Sequence, residues 1–368
     1  MSRAAWLDQG YRVLRPLLFR LEPESAHDLA SHSLAWISRH PGALRLLQGW
    51  QTALNSAERA LLHSRHFGVD FPNPIGLAAG MDKHAAAVPA WAALGFGFVE
   101  VGSVTAQAQA GNPKPRLFRL PQDEALINRF GFNNLGADAI AAHLAASQSR
   151  ATWPSLPLGI NLGKSKITPL AQALGDYQHS LEQLGHYADY VVINVSSPNT
   201  PGLRQLQDQH YLDDLLSGLQ ASAQGVPLLL KIAPDMHASA LDSIISLVKQ
   251  HRLAGIIACN TTTERQGLCS PTSLSDQIGG LSGKPLAERS LELLHYLYQA
   301  LGDAQAIVSV GGISSVDDVY QRLQAGAALV QLYSALVYQG PMLVQRLQQG
   351  LLQRLQAEGV QRLAEIRR

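Results

Sequence analysis

The stretch YVVINVSSPN at residues 190–199 is an apolar run that ends in a cluster of polar residues. A strand that is apolar on both faces is typical of a parallel sheet covered by helices. Seven further runs of this kind occur, at residues 74–80, 96–105, 157–163, 227–235, 255–262, 306–312 and 329–336. Amphipathic stretches such as Leu241–His251 and Leu286–Ala300 separate most of them. The sequence therefore predicts an α/β fold in which eight βα units close into a (β/α)8 TIM barrel.

Polar residues cluster at the carboxyl ends of these runs, which converge on one mouth in a closed barrel. The set comprises Lys83, Ser103, Thr105, Asn161, Asn194, Ser196, Ser197, Asn199, Lys231, Asn260, Thr261, Gly311, Gly312, Tyr333 and Ser334. A single polar strand end caps a helix more often than it binds a ligand, but eight together are hard to explain as capping. Amides with two lysines suit a planar substrate carrying carbonyls and a carboxylate, and also a flavin ring.

Glycines near the last strands predict an anion site. Gly279–Gly283 precedes the seventh run, and Gly311–Gly312 ends it just before a helix that should begin near Ser315. Backbone N–H groups in such loops, together with a helix N-terminus, bind phosphate. Two long connections, residues 106–156 and 263–285, lie at the carboxyl ends of strands and should also be functional. His63 and His66 have crude metal-ligand spacing, but they precede the barrel and are expected in a solvated loop.

Residues 1–55 differ from the rest of the chain. Leu7, Tyr11, Leu14, Leu18 and Leu21 recur at helical spacing with arginines interleaved, and a second helix is expected from Ser25 to Arg39. Pro16 should lie in a first turn or kink the first helix. The pattern fits two helices packed on a core, and it equally fits an amphipathic hairpin on a lipid surface.

Composition narrows the function classes. Of the 368 residues 46% are hydrophobic, and the formal charge is +1, so no global field favours nucleic acid. Cys259 and Cys269 form no disulfide framework and indicate a reducing compartment. No apolar run approaches the roughly 18–20 residues of a membrane-spanning helix. The N-terminus also lacks the pattern of a secretory signal.

Several motifs, in order along nearly the whole chain, resemble those of the class 2 dihydroorotate dehydrogenases. They are GLAAGMDK (76–83), NRFGFNN (128–134), INVSSPNTPGLR (193–204), KIAPD (231–235), CNTT (259–262) and GGLSGKP (279–285). The resemblance implies oxidation of dihydroorotate to orotate in pyrimidine biosynthesis, with electrons passing through one FMN to a membrane quinone. Ser197 matches the catalytic base; the soluble class 1 relatives carry a cysteine there.

The resemblance also implies roles for further residues. Flavin contacts are expected from Ala79, Gly80, Met81, Asp82, Lys83, Ser103, Asn161, Asn194, Lys231, Cys259, Gly283, Gly312, Tyr333 and Ser334. Dihydroorotate contacts are expected from Lys83, Asn128, Arg129, Phe130, Gly131, Phe132, Asn194, Asn199, Asn260 and Thr261. The inner end of a quinone tunnel is expected at His27, Arg119 and Tyr333. Residues 1–55 would form the quinone-tunnel and membrane segment, and residues 56–368 the FMN barrel. No metal is implied.

Two positions depart from the family pattern. Cys259 stands where a hydroxyl residue is usual, and Ser309 where a glycine is common. A backbone contact from residue 259 to the flavin would change little, whereas a side-chain contact would shift flavin affinity or potential.

The start of the chain leaves little room for a transit segment, so we expect the protein to be held peripherally on the cytoplasmic face of a bacterial inner membrane. We also expect it to be a monomer. Three alternatives remain: another flavin barrel acting on a pyrimidine, a class 1-like barrel with a soluble electron acceptor, and a non-catalytic peripheral membrane scaffold.

Overall fold

The computed structural model describes the backbone of residues 3–367 and the side chains of residues 9–367. Its strands, in chain order, are β1 (Ser64–His66), β2 (Val69–Phe71), β3 (Ile75–Leu77), β4 (Phe98–Val104), β5 (Leu117–Leu120), β6 (Ala125–Asn128), β7 (Leu158–Leu162), β8 (Tyr190–Asn194), β9 (Leu228–Ile232), β10 (Gly255–Ala258), β11 (Gly280–Gly283), β12 (Ala306–Val310) and β13 (Leu329–Leu332).

Helices precede, separate and follow these strands. They are α1 (Arg3–Leu18), α2 (Pro23–Arg39), α3 (Pro41–Gln48), α4 (Ser56–Leu62), α5 (Val88–Ala93), α6 (Ala137–Gln148), α7 (Ala173–Leu184), α8 (Gln209–Ser222), α9 (Ala238–Gln250), α10 (Thr272–Ser275), α11 (Ala287–Leu301), α12 (Val316–Gln324), α13 (Ser334–Gln339) and α14 (Leu343–Ala357).

Eight parallel strands close into a barrel in the order β3, β4, β7, β8, β9, β10, β12 and β13, which confirms the predicted TIM barrel. Each of the eight sequence runs contains one of these strands. Every residue of β4, β7, β8 and β9 is buried, as their largely apolar sequences require in a sheet with helices outside and packed side chains inside.

The amino-terminal end of the barrel is closed by a hairpin that the sequence analysis placed in a loop. His66 lies in β1 of this hairpin, and His63 ends α4 directly before it. Phe67 and Gly68 form the two-residue turn, both with positive φ, as hairpin turns of this length require. The ring of Phe71 in β2 packs edge-on against Phe98 inside the barrel, with centroids 5.3 Å apart. The hairpin therefore closes the end opposite to the predicted mouth.

The two long connections pair with each other. β5, β6 and β11 form an antiparallel sheet, in which Leu281 opposes Ile127. The predicted glycine loop at 279–283 is therefore largely a strand, and the Leu281 N–H donates to the Thr262 carbonyl at 2.7 Å. Only Ser282 and Gly283 of this stretch line the cavity described below. The expectation that the whole stretch offers free N–H groups is wrong, because the ladder uses them.

The first helix of the N-terminal segment packs on the barrel, as one interpretation predicts, and also carries exposed apolar side chains. Tyr11 donates from its hydroxyl to the Val337 carbonyl at 2.7 Å, so one face of α1 packs on α13. The opposite face is exposed at Val13 (70%), Leu14 (54%) and Leu17 (56%). The side chain of Leu7 lies outside the described residues. α1 continues through Pro16 to Leu18, so the proline lies in the last turn rather than the first.

Candidate active site

One cavity of about 1220 Å³, including its open mouth, lies at the carboxyl ends of the barrel strands. Of the residues predicted to bind cofactor or substrate, the cavity brings together Ala79, Gly80, Lys83, Ser103, Asn128, Phe130, Gly131, Phe132, Asn194, Ser197, Asn199, Lys231, Cys259, Asn260, Thr261, Gly283, Gly312, Tyr333 and Ser334.

Four of the predicted residues lie outside the lining. Met81 is buried in the main core, and Asn161 lies behind Ser103. The carboxylate of Asp82 accepts backbone N–H groups within its own turn. The guanidinium of Arg129 is turned away; it donates to the carbonyls of Pro115 and Ile278 and to the side chain of Gln277. These side chains support the site rather than face it.

The floor of the cavity is held by a buried carboxylate that the sequence analysis missed. Glu100 in β4 is fully buried and lies 3.3 Å from the ammonium of Lys231. It also accepts hydrogen bonds from the amides of Asn161, at 2.8 Å, and Gln331, at 2.5 Å. A carboxylate withdrawn from water needs partners of this kind. Glu100 therefore fixes the Lys231 ammonium, which lines the cavity.

Amide side chains next to this floor form a continuous network. The amide nitrogen of Asn194 donates to Ser103 Oγ at 3.0 Å and to Asn161 Oδ1 at 3.1 Å. Its oxygen accepts from Ser196 Oγ at 2.9 Å, and Ser196 Oγ in turn accepts from Asn260 at 3.0 Å. Strand ends far apart in sequence are thereby tied together. The network fixes which atoms of Asn194 and Asn260 remain for a ligand.

Lys83 lies on the other side of the cavity, with its ammonium 3.6 Å from the centroid of the Phe130 ring. Burial, and secondly the Arg116 guanidinium, lower the pKa of Lys83 to about 8, although the carboxylates of Glu24 and Asp28 oppose that shift. The side chain is therefore a cation at neutral pH that loses its charge far below the usual range of lysine.

Ser197 follows β8 and lines the cavity with 6% exposure. Its Oγ accepts the N–H of Asn199 at 3.3 Å, and no described residue accepts the hydroxyl proton. The amide of Asn199 donates to Asn128 Oδ1 at 3.2 Å. The hydroxyl is thus oriented by its own loop and free to exchange a proton with a ligand.

Gly280 lies opposite Thr261, and a Cβ there would approach the Thr261 hydroxyl to 1.9 Å, so only glycine fits.

The predicted anion site is partly as expected. α12 begins at Val316 with Ser315 as its cap, but the Asp318 carboxylate accepts the N–H groups of Ser314 and Ser315 and so occupies the helix end. The N–H groups of Gly312 and Ile313, both in the cavity lining, donate to no described residue. These two groups, rather than the helix N-terminus, are available to an anion.

His27 and Tyr333 flank Phe130. The ring centroids of His27 and Phe130 are 6.3 Å apart. Burial, and secondly the charge of Lys83, lower the pKa of His27 to about 4, so the imidazole is neutral at pH 7. Tyr333 packs with Phe130 in an apolar cluster that Phe19 of the N-terminal segment covers, and burial raises its pKa to about 12. Of these, Tyr333 lines the cavity and His27 does not.

Arg119 joins the barrel to the end of α1. Its guanidinium donates to the carbonyls of Leu18, Phe19 and Leu21 and lies over the Phe19 ring at 4.6 Å. It satisfies carbonyls that the end of a helix leaves without partners. Arg119 is also outside the cavity lining.

The side chain of residue 259, one of the two departures from the family pattern, contacts the end of a neighbouring strand. The Cys259 thiol donates to the Val310 carbonyl at 3.8 Å, and burial raises its pKa to about 12. The thiol is therefore protonated and unreactive at neutral pH. Ser309 is buried and accepts a hydrogen bond from Arg322 at 3.4 Å, away from the cavity.

The sequence of this chain is similar to a family model and to several curated proteins. Residues 61–355 match the family model described as dihydroorotate dehydrogenase. A curated relative from Thermus thermophilus, named dihydroorotate dehydrogenase (quinone), is 51% identical over 352 residues, which cover 95% of this chain and 99% of that protein. The relative of the same name from Gloeobacter violaceus is 49% identical over 96% of this chain and 97% of its own.

Solved structures agree with the sequence relatives. The crystal structure of the Eimeria tenella DHODH in complex with ferulenol superposes with a TM-score of 0.83 at 34% identity, over 94% of each chain. The ligand-free form of that protein also gives 0.83, at 35% identity, over 94% of this chain and 98% of its own. The family match, the closed barrel and the amide-rich mouth together establish that this chain belongs to the dihydroorotate dehydrogenase family.

Proposed function

We propose that this protein oxidises dihydroorotate to orotate and passes the electrons through FMN to a membrane quinone. The observation that carries the proposal is the single cavity in which Ser197, Lys83 and four asparagines face one another. The asparagines are Asn128, Asn194, Asn199 and Asn260. The relatives named for this activity cover nearly the whole chain.

The residues of the cavity fit FMN. Lys231 presents an ammonium donor that Glu100 fixes from behind, which suits the carbonyl edge of an isoalloxazine. The free N–H groups of Gly312 and Ile313 suit its phosphate. Asn133 Oδ1, also in the lining, is shielded from solvent and has no partner among the described residues. When bound, the flavin supplies the two-electron acceptor for the substrate and the donor for the quinone.

The substrate chemistry then assigns roles to the chain's own residues. Dihydroorotate loses a proton from C5 and a hydride from C6. The loss of both leaves the C5–C6 double bond of orotate. Ser197 is the base: its oxygen takes the C5 proton while its own hydroxyl proton, which no described residue accepts, leaves to water. Lys83 holds the substrate carboxylate, and the asparagines stabilise charge that develops on the carbonyls. A serine is a weak base at neutral pH, so activity should rise toward alkaline pH.

The N-terminal segment, residues 1–55, is proposed to guide the quinone and to attach the protein to the membrane, with residues 56–368 forming the flavin barrel. Exposed apolar side chains lie on α1, α2 and α3, including Val13 (70%), Trp36 (56%) and Leu46 (70%). None of the described helices is long and apolar enough to cross a bilayer. The inner end of the quinone path is proposed to be lined by His27, Arg119 and Tyr333, which lie between this surface and the cavity.

We further infer a monomer held peripherally on the cytoplasmic face of a bacterial inner membrane. Bacteria are the source of the curated relatives compared above, which supports the membrane assigned.

The test is an anaerobic titration of the purified yellow protein with dihydroorotate, followed by addition of a quinone. We expect the flavin absorbance to bleach with one equivalent of substrate and to return when the quinone is added. A protein without flavin would be the non-catalytic scaffold. Bleaching that only a soluble acceptor reverses would indicate a class 1-like enzyme.

A further inference from the structure

A buried ion pair joins the N-terminal segment to the barrel. The guanidinium of Arg116 donates to both oxygens of Glu24 at 2.8–3.1 Å, and the two side chains are 8% and 4% exposed. The ammonium of Lys114 lies 3.2 Å from the same carboxylate at the rim. Burial opposes ionisation of Glu24, but the two cations outweigh it and lower its pKa. The pair is therefore charged at neutral pH.

Arg116 extends from this pair toward the site of Ser197. Its other terminal nitrogen donates to the carbonyls of Ala110 and Asn112, at 2.6 and 2.9 Å. The amide of Asn112 donates to the carbonyl of Asn199 at 3.2 Å. The N–H of Asn199 in turn orients Ser197 Oγ. A chain of direct contacts thus runs from α2 to the proposed base.

A second route leads to Lys83 through the Phe130 ring. The guanidinium of Arg116 lies 5.6 Å from the centroid of that ring, and the Lys83 ammonium lies 3.6 Å from it. The charged and titratable groups that act on Lys83 are Arg116, Lys114, Glu24 and Asp28, together with the imidazoles of His27 and His84. Glu24 is therefore one of two carboxylates that favour the charged form of this lysine.

We propose that Glu24 is a positioning residue for dihydroorotate, so that the N-terminal segment serves the first half-reaction as well as the quinone. The inference rests on the proposed function, because it assigns Lys83 and Asn199 to the substrate. Glu24 acts through Arg116 and contacts neither the substrate nor the cofactor. Without it, Arg116 loses the carboxylate that holds it against the Asn112 loop, and Asp28 alone of the two carboxylates opposes the cations near Lys83.

The experiment uses the full-length flavoprotein with Glu24→Gln, which keeps the shape of the side chain and removes its charge. Anaerobic stopped-flow bleaching by dihydroorotate gives the substrate dissociation constant and the limiting rate, and orotate binding is followed from the flavin spectrum. We expect the dissociation constant to rise about tenfold at pH 7, which is about 1.4 kcal/mol. Glu24→Asp should recover part of this loss.

The pH profile distinguishes this role from a merely structural one. Substrate affinity should fall as pH rises through the pKa of Lys83, because the cation that holds the carboxylate is lost. Glu24→Gln removes a group that raises this pKa, so the fall should occur at lower pH. Lys114→Met removes a group that lowers it, so the fall should occur at higher pH. Lys114 is largely exposed, so this variant is informative even if Glu24→Gln does not fold.

Glu182→Gln is the matched control, because it makes the same charge change on an exposed side chain of α7 that does not act on Lys83. Folded Glu24→Gln and Lys114→Met proteins with unchanged affinity and unchanged pH profiles would overturn the inference. If the unaltered protein is not bleached by dihydroorotate at all, the proposed function fails instead.

Discussion

Ser197 is the residue whose replacement tests the proposed chemistry most directly. Its hydroxyl lines the cavity and donates to no described acceptor, so its removal costs one hydrogen bond, the one that Ser197 Oγ accepts from the Asn199 N–H at 3.3 Å. We expect Ser197→Ala to retain FMN but to slow flavin reduction by dihydroorotate by about 10²–10⁴-fold at pH 7, the usual contribution of a general base. Stopped-flow bleaching at saturating substrate measures this rate.

Thr200→Ala is the control for that variant. The Thr200 hydroxyl lies in the same loop, is buried and has no partner among the described residues. Its removal should leave the bleaching rate within a small factor of the original. Equal rates for Ser197→Ala and Thr200→Ala would remove Ser197 as the base.

Glu100 offers a residue-scale prediction about stability. Replacing it with glutamine leaves the buried Lys231 ammonium without a counter-charge. Breaking a buried pair in this way costs roughly 3–5 kcal/mol. We expect urea unfolding of Glu100→Gln to show a loss of this order, and the double variant with Lys231→Met to recover part of it. A double variant less stable than the single one would contradict this account of the pair.

The sequence could predict the residues of the mouth but not what holds them. Lys83, Ser197 and Lys231 each end an apolar run, so the strand pattern alone brings them together. Glu100 lies within the apolar run FVEVGSV, and nothing local shows that its partners come from three other strands. Glu24 lies far along the chain from Arg116, and such a pairing has no periodic signal.

At the scale of elements, regular strands and helices were predicted well and irregular pairings were not. The hairpin of β1 and β2 was missed because Phe67–Gly68 is not the usual Asn–Gly turn, although it adopts the same positive φ. The strand β11 was predicted as a loop because its partner, β6, is more than 150 residues away in the chain. Short strands rich in glycine carry little pattern of their own.

The exposed face of α1 leads to a prediction about membrane attachment. Val13 and Leu17 are 70% and 56% exposed, and each apolar side chain of this size contributes about 1.5–3 kcal/mol when fully buried. The double variant Val13→Glu/Leu17→Glu should therefore lose co-sedimentation with vesicles of bacterial lipid, while dihydroorotate still bleaches the flavin. Tyr211→Glu, on the exposed side of α8, is the control and should bind vesicles normally. Vesicle binding that survives in the double variant would place the lipid contact elsewhere.

At the scale of the whole molecule, α1 and α2 are attached to the barrel by separate sets of polar contacts. Tyr11 and Arg15 of α1 donate to carbonyls of α13, and Arg119 of β5 donates to the carbonyl of Leu18 at the end of α1. α2 is held through the buried pair of Glu24 and Arg116 and through Ser38, whose hydroxyl accepts the Ala90 N–H. The pair of Glu24 and Arg116 leads toward Ser197 and Lys83. The two half-reactions should therefore depend on different parts of one segment.

Deleting residues 1–21 tests this division, because it removes α1 and leaves Glu24 and His27 on α2. We expect the shortened protein to lose vesicle binding and most of its reoxidation by long-chain quinones, since the apolar face of α1 and the cover that Phe19 gives to the Tyr333 cluster are gone. Bleaching by dihydroorotate should stay within about twofold of the full-length rate, a change of about 0.4 kcal/mol in the barrier. Stopped-flow reduction and reoxidation of the same preparation measure both. Quinone turnover that persists without α1 would show that the quinone reaches the flavin by another path, and a matching loss of bleaching would show that the two attachments act as one.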